Sequence, residues 1–273
     1  MRTKLLPHFL VASLLVFATT QLRAAEPELI ATLQSAASVP DKCAACVQLR
    51  IVGTARSVPA LAGLLTEDRT SHAARYALEA IPGAEASLAL RQALGKTTGP
   101  FKAGVIDSLG WRRDAESLPL LKPLLADPDP IIASAAAAAL GKIGGKDALA
   151  ALTAARRQSP PAVLTAVLDA QLQGAGQLLA GGHASEAAAI YHSLFDANLP
   201  TQIRIAAWRG LVLSEPSRRV ALMTKALAGT DRLTLRAALK LIRELGDEAV
   251  IKACLKQWAE LPADSQVAVL DAS

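Results

Sequence analysis

Two cysteines three residues apart form the pattern with the clearest chemical potential in this sequence. Cys43 and Cys46 would lie on one face of a helix, where paired thiols serve redox exchange or metal binding. Residue 47 is a valine, so the pattern is not a c-type haem attachment signature. No second cysteine or histidine pair completes a tetrahedral metal site, and a third cysteine, Cys254, leaves an odd number. Small buried thiols are therefore favoured over a redox or metal site.

A group of polar residues forms the second pattern. His72, Arg75 and Glu79 are spaced three and four residues apart, so one edge of a helix carries all three. The edge is either a polar strip that binds a partner or an Arg75–Glu79 pair that supports the helix, with His72 near its cap.

The run Trp111-Arg112-Arg113-Asp114 is predicted to lie in a turn between two helices. Arg113 and Asp114 are interpreted as residues that brace this turn. Trp111 and Arg112 are residue types that are enriched in interface hot spots, so they are also candidates for partner contact, with the Arg112 side chain exposed.

Motifs that carry catalysis are missing from the sequence. It contains no GxSxG, HExxH, P-loop or GxGxxG pattern. We therefore predict that the chain is not an enzyme and that it has no catalytic, cofactor-binding or metal-binding residues. The predicted partner-binding residues are His72, Arg75, Glu79, Trp111 and Arg112.

The elements that position these residues repeat along the chain. Four related apolar segments recur with a period of roughly 30 residues: Val58–Leu65, Ser87–Leu94, Leu118–Leu125 and Asp147–Leu152. Each follows a predicted helix that ends at glycine or Pro-Gly: Cys43–Val52, Ser71–Ile81, Phe101–Leu109 and Ile131–Ile143. The pattern predicts stacked two-helix units.

The apolar spacing inside each unit predicts its core. Leu61, Leu64 and Leu65 fall on one helical stripe, and Leu124 matches Leu64 sixty residues further on. A two-helix unit cannot bury such a stripe alone, so neighbouring units must cover it. Aromatic residues are only 3% of the chain, and alanine and leucine dominate, which favours helices over a β-rich core. The predicted fold is an all-α, right-handed α-solenoid of stacked antiparallel helix pairs.

Residues 41–157 resemble the short HEAT repeats of the phycobilisome-lyase type. The likeness rests on Val58-Pro59-x-Leu61-x-x-Leu64-Leu65, Ala74-Arg75-x-Ala77-Leu78 and Ala138-Ala139-Leu140-Gly141-x-Ile143-Gly144. The segments 71–82 and 108–114 are similar to a group of exported bacterial HEAT-repeat proteins, in which such arrays often precede other modules. The resemblance implies a binding array and leaves its partner open, because this repeat serves scaffolds, lyases and adaptors alike.

The predicted domain organisation has five parts. Residues 1–24 are a signal peptide, 25–40 an N-terminal lead-in or capping helix, 41–159 HEAT-like repeats, 160–200 an irregular or tetratricopeptide-like helix pair, and 201–273 further HEAT-like pairs. In the last segment, Val267, Val269 and Leu270 precede the end of the sequence without a partner helix. We expect this end to be truncated or uncapped, frayed and prone to self-association; the alternative is that the short helix itself caps the array.

The signal peptide is predicted from the basic residues Arg2 and Lys4, the apolar run Phe9–Ala18 and the small residues at 24–25. The alternative is an uncleaved N-terminal anchor. The chain has 29 basic and 24 acidic residues, and three of the basic residues lie in 1–24, so the remainder carries a net charge of +2. With no basic cluster interleaved with aromatic residues, nucleic-acid binding is not expected. No further apolar stretch is long enough to span a membrane once the signal peptide is removed.

Two functions of different kinds remain. The first is a noncatalytic protein–protein interaction scaffold of the periplasm or cell surface, which binds a protein or peptide on the concave face of the array. The second is an N-terminal arm of a larger exported redox or hydrolytic protein. A tetrapyrrole lyase, the activity of the repeat's namesake, is disfavoured by the predicted export and by the missing catalytic residues.

The predicted signal peptide can be tested directly. Expression of the full chain in a bacterium that exports it should yield a protein that begins near Ala25, because the small residues at 24–25 follow an apolar run of signal-peptide length. N-terminal sequencing of the exported protein measures this. A chain that retains Met1 would contradict the prediction.

Overall fold

The computed structural model describes residues 25–196 and 198–273 of the chain. The predicted signal peptide, residues 1–24, lies outside these ranges. Within them every regular element is a helix and none is a strand, which confirms the predicted all-α class. None of the helices described is long and apolar enough to cross a membrane.

The described residues form two compact units, of which unit 1 comprises residues 25–143 and 159–163. Its helices are α1 Glu26–Gln34, α2 Val39–Val52, α3 Val58–Gly63, α4 Ser71–Ala80, α5 Ala84–Leu94, α6 Gly99–Trp111, α7 Leu118–Leu121 and α8 Pro130–Ile143. From α2 onward they alternate as first and second helices of successive pairs, as the period predicts.

Unit 2 comprises residues 144–158 and 164–273. Its helices are α9 Gly145–Arg156, α10 Pro161–Ala180 from Leu164 onward, α11 Ala184–Leu194, α12 Thr201–Ser214, α13 Pro216–Ala228, α14 Arg232–Leu245, α15 Glu248–Lys256 and α16 Ala263–Ala272. The break between α10 and α11 falls at Gly181-Gly182.

Helix α2 begins earlier than the sequence indicated. Its first residue is Val39, because Ser38 is an N-cap whose side chain accepts a hydrogen bond from the Asp41 amide and Pro40 fits the first turn. The helix therefore crosses the boundary expected at residue 41.

Helix α1 lies within residues 25–40, the segment predicted to be a lead-in or capping helix, and is held by a buried carboxylate. Glu26 is 4% exposed and accepts hydrogen bonds from the Thr54 amide (2.7 Å), the Thr54 hydroxyl (2.9 Å) and the Ser57 hydroxyl (2.5 Å). Burial raises the pKa of Glu26, but hydrogen bonds from Ser57 and Thr54 outweigh this and leave the pKa below its ordinary value. The ionised carboxylate thus ties α1 to the first repeat.

A leucine recurs near the C-terminal end of each first helix of unit 1. Leu49, Leu78, Leu109 and Leu140 lie 29 to 31 residues apart, and all four are fully buried. The first helices pack side by side, α2 on α4, α4 on α6 and α6 on α8, while the second helix α3 packs on α5. This stacking of pairs is the α-solenoid that the repeat predicts.

The second helices match the predicted core at one copy and depart from it at another. Leu61, Leu64 and Leu65 are buried, as predicted. Leu124, expected to match Leu64, is only half-buried, which corrects that assignment. The reason is local: α7 ends at Leu121 and a 3₁₀ helix, Lys122–Ala126, follows, since Pro123 cannot donate the backbone hydrogen bond of a continuing α-helix.

The C-terminal helix α16 is packed, which corrects the expectation of an unpartnered end. It contacts α14 and α15, and Ala268 and Val269 are fully buried. The buried Ser265 hydroxyl donates to the Leu227 carbonyl at 2.7 Å. Val267 and Leu270 do remain exposed, because the helix buries one face only. The expected self-association and the alternative, that this short helix caps the array, both stay predictions.

Helix α7 offers a matched test of the core. Leu121 is fully buried whereas its neighbour Leu120 is 45% exposed. We expect Leu121→Ala to lower the free energy of unfolding by about 2–5 kcal/mol, because it leaves a cavity in the core. Leu120→Ala should change it by about 0.5 kcal/mol or less. Urea denaturation followed by circular dichroism measures both, and equal losses would show that the assigned inner face of α7 is wrong.

Candidate functional site

The paired cysteines of α2 lie in the packed interior. Cys46 is fully buried and Cys43 is half-buried, with its thiol directed to the Arg69 carbonyl at 3.6 Å. Burial, with a smaller contribution from Cys43, raises the pKa of Cys46 to about 12. The thiol therefore stays protonated at neutral pH, whereas nucleophiles and metal ligands are thiolates. In the described ranges, no cluster of three or more histidine, cysteine or acidic side chains is arranged to hold a metal ion.

The polar edge of α4 turns towards the next repeat rather than towards solvent. Arg75 donates from Nη1 to the Gly104 carbonyl at 2.9 Å on α6. Glu79 accepts a hydrogen bond from the Ser108 hydroxyl at 2.7 Å, also on α6. Of the predicted strip, only His72 is exposed. Arg75 and Glu79 thus join two repeats of unit 1.

A glycine makes room for this arginine. Gly104 lies within α6, where glycine costs about 1 kcal/mol relative to alanine. A Cβ at this position would lie 2.4 Å from Cζ of Arg75. The guanidinium thus occupies the space that a side chain would fill, and its burial lowers the pKa of Arg75.

Arg112 clamps the end of the preceding first helix. It donates from Nη1 to the carbonyls of Leu78 (2.5 Å) and Ile81 (2.6 Å), and from Nη2 to that of Gly83 (2.7 Å). Its Nε donates to the Ser87 hydroxyl at 2.8 Å. A cation here satisfies carbonyls that the end of α4 leaves without helical partners.

These contacts correct the roles expected for residues 111–114. Arg112 was expected to be an exposed contact residue, but it is half-buried and its guanidinium is used within unit 1. Arg113, expected to brace the turn, is exposed and has a φ of 50°. Asp114 does brace it, since both carboxylate oxygens accept hydrogen bonds at 2.7 Å from Arg91 of α5.

Exposed aromatic side chains lie on the outward side of the first helices. Trp111 is two residues after the buried Leu109, and Tyr76 is two residues before the buried Leu78. Two residues correspond to about 200° around a helix, so both positions lie opposite the core. Trp111 is 63% exposed and Tyr76 is 41% exposed.

A cation lies over each of these two rings. The Arg50 guanidinium lies 4.1 Å from the centroid of Tyr76, and the Lys142 ammonium lies 4.5 Å from the centroid of Trp111. The His72 ring stacks on Tyr76 itself, with 6.5 Å between the two ring centroids. Each cation–π pair joins adjacent first helices.

Two apolar residues of α2 extend the same side. Val47 is 51% exposed and Ile51 is 74% exposed, at two residues before and after the buried Leu49. We call the set of outward residues on the first helices of unit 1 the first-helix face: Val47, Arg50, Ile51, His72, Tyr76, Trp111 and Lys142. Of the predicted partner-binding residues, His72 and Trp111 belong to it.

The sequence analysis missed Val47, Arg50, Ile51, Tyr76 and Lys142. The signal that could have found Val47, Ile51, Tyr76 and Lys142 is their offset of two residues from the recurring leucine, which marks outward positions on a first helix. Arg50 directly follows Leu49 and has no such signal. The predicted partner-binding residues were mostly charged, but the side chains of Arg75 and Arg112 donate hydrogen bonds to an adjacent repeat.

Comparison with known proteins agrees with the repeat assignment. Residues 87–171 match the family model described as HEAT repeats, so the chain contains HEAT repeats, as predicted. A search of curated proteins finds no match.

Three solved structures similar to the chain have low identity. An engineered protein is 17% identical (TM-score 0.44, 90% of this chain and 77% of that one). Human deoxyhypusine hydroxylase in complex with glycerol is 16% identical (TM-score 0.43, 93% and 96%). The complex of CpcE and CpcF of phycocyanin lyase from Nostoc is 21% identical (TM-score 0.36, 90% and 92%).

Substitutions of the adjacent residues Arg112 and Arg113 test whether Arg112 holds the end of α4. We expect Arg112→Lys to lower the free energy of unfolding by about 1–3 kcal/mol, because an ammonium cannot replace a guanidinium that reaches five acceptors at once. Arg113→Lys, at an exposed position, should change it by about 0.5 kcal/mol or less. Thermal and urea denaturation measure both. A stability of Arg112→Lys equal to that of the wild type would refute the clamp.

Proposed function

We propose that the chain is a noncatalytic scaffold that is exported to the periplasm or cell surface and binds a protein partner through the first-helix face of unit 1. The observation that carries this proposal is the pair of exposed aromatic rings, Tyr76 and Trp111, each covered by a cation from the neighbouring first helix. HEAT repeats are consistent with an interaction role. This proposed binding surface differs from the one predicted from the sequence, which was the concave face of the array.

The composition of the face suits protein recognition. Tryptophan, tyrosine and arginine are the residue types most enriched in binding hot spots, and Trp111, Tyr76 and Arg50 supply one of each. Val47 and Ile51 add exposed apolar area on α2. A partner that covers these side chains would remove apolar surface from water, which is the main driving force of association.

Rigidity beneath the face supports the same function. Arg75 and Glu79 bind α6 from α4, and Arg112 holds the end of α4 from the end of α6. Side chains that are fixed before binding lose less entropy when the partner arrives. Arg75, Glu79 and Arg112, which were predicted to contact a partner, therefore stabilise the helices that carry the first-helix face.

The chemistry expected of the partner follows from the exposed groups. Arg50 makes no ion pair with any described residue, and its charge is held over an aromatic ring. A partner segment with apolar side chains and a carboxylate that reaches Arg50 would complement the face in both shape and charge.

Substitution of the two aromatic residues tests the proposed function. The double variant Tyr76→Ala/Trp111→Ala should lose the partner captured by the wild type from a periplasmic extract. With that partner identified and purified, the dissociation constant should rise at least about thirtyfold, because the loss of even one hot-spot residue costs about 2 kcal/mol. Calorimetric titration measures the affinity.

Leu88→Ala is the matched control. Leu88 is 48% exposed but lies on the second helix α5, away from the first-helix face, so this variant should bind as the wild type does. Unfolding temperatures of all variants separate lost binding from lost folding. Equal affinity of the wild type and the folded double variant would reject the first-helix face.

A further inference from the structure

Unit 2 contains a cavity of about 360 Å³ that has no counterpart in the sequence analysis. One wall is α12, another is α13, and the connection from α13 to α14 closes one side. Its volume is at the lower end of the range for small-molecule sites, about 300–1,000 Å³. The cavity therefore suits a compact ligand.

The interior of the cavity is mainly apolar. Trp208 is 2% exposed and belongs to the core of unit 2, while Phe195 is 42% exposed at the rim. Leu222 and Ala226 of α13 complete the apolar lining. Two aromatic rings and two aliphatic side chains would bury an aliphatic or aromatic group and gain about 25 cal/mol for each Å² of apolar surface removed from water.

Two cations share this cavity with the apolar lining. Arg204 lies four residues before Trp208 on α12, so both side chains lie on the same side of that helix. Lys225, an exposed residue of α13, also lines the cavity. Neither cation forms an ion pair with any residue in the described part of the chain. A ligand in the cavity therefore meets two positive charges beside an apolar surface.

The one acidic residue of the lining is already engaged. Asp231 is the N-cap of α14 and accepts hydrogen bonds from the backbone amides of Leu233 and Thr234 and from the Thr234 hydroxyl. The hydrogen bond from the Thr234 hydroxyl is the largest cause of the lowered pKa of Asp231, and the charge of Arg204 adds to it. Asp231 stays ionised at neutral pH, and two cations against one carboxylate leave a net charge of +1.

We propose that this cavity binds a monocarboxylate with an apolar body, whose carboxylate pairs with Arg204 and Lys225 and whose apolar group contacts Trp208 and Phe195. A single negative charge neutralises the site, and the guanidinium of Arg204 suits a carboxylate because it can donate two parallel hydrogen bonds. A cationic ligand would face the two positive charges, and an apolar ligand without charge would leave both unpaired.

Such a carboxylate has two sources, a free organic acid and the C-terminal residue of a peptide. The site is independent of the proposed scaffold function, because it uses no residue of the first-helix face. Loss of either activity can therefore be observed without loss of the other.

Three related probes test the proposal: 3-phenylpropionate, N-acetylphenylalanine and N-acetylphenylalanine amide. The indole N–H signals in ¹H–¹⁵N correlation spectra of the full chain report on Trp111, Trp208 and Trp258, and Trp→Phe variants assign them. Both acids should shift the Trp208 signal in a saturable way and leave that of Trp111 in place, since only Trp208 lines the cavity. The amide, which lacks the charge, should bind at least about tenfold more weakly than the acid.

Comparison of the two acids identifies the source. Tighter binding of N-acetylphenylalanine assigns the site to a peptide C-terminus, and tighter binding of 3-phenylpropionate assigns it to a free acid. Either result supports a monocarboxylate site. Equal binding of the amide and its acid, or no saturable shift of Trp208 with either acid, would overturn it.

Charge-removing variants locate the binding groups. Arg204→Met and Lys225→Met should each raise the dissociation constant of the tighter acid at least about tenfold, because each removes a charged hydrogen-bond donor. The matched controls are Arg209→Met and Lys240→Met, whose native side chains pair with Glu244 and do not line the cavity. Circular dichroism confirms that each variant is folded. Similar affinities for cavity variants and controls would contradict the proposal.

Discussion

The structure of unit 1 depends on close contact between successive first helices, because no helix pair can bury its own apolar stripe. Small residues make this contact possible. At Gly110 of α6, an added Cβ would lie 2.7 Å from the Cα of Ala139 on α8. The buried leucines of the same helices then interlock in one continuous core. Abundant alanine and glycine are therefore a packing requirement in this chain.

Polar groups between repeats follow from the same close approach. When two helices meet this closely, the carbonyls at the helix ends lose access to water and need protein donors. Arg112 supplies several donors at the end of α4, and Arg75 reaches the Gly104 carbonyl beside it. Asp114 pairs with Arg91 in the adjoining turn. These contacts fix the spacing of the repeats that the apolar core alone leaves adjustable.

The chemistry of the first-helix face follows from the regular packing of the first helices. With the leucine positions fixed inward, positions two residues away are fixed outward in every first helix. Tyr76 and Trp111 occupy such positions, and the neighbouring helices bring Arg50 and Lys142 over their rings. In unit 2, Arg204 and Lys225 instead border an apolar cavity without ion-pair partners among the described residues. Helix pairs of one kind thus present two chemically different surfaces.

The sequence by itself determined the helical class, the repeat period and most helix ends, because glycine, proline and apolar spacing act locally or through a regular period. It also placed Leu61 and Leu65 correctly in the core. Only the tertiary structure decided which charged residues face a neighbour: Arg112 and Arg113 are adjacent and chemically identical, yet one is a clamp and the other is exposed. The cavity of unit 2 could not be predicted from the sequence either, since its lining comes from three separate parts of the chain. Contacts between residues some 30 positions apart depend on how helices pack, and that packing has no local signature in the sequence.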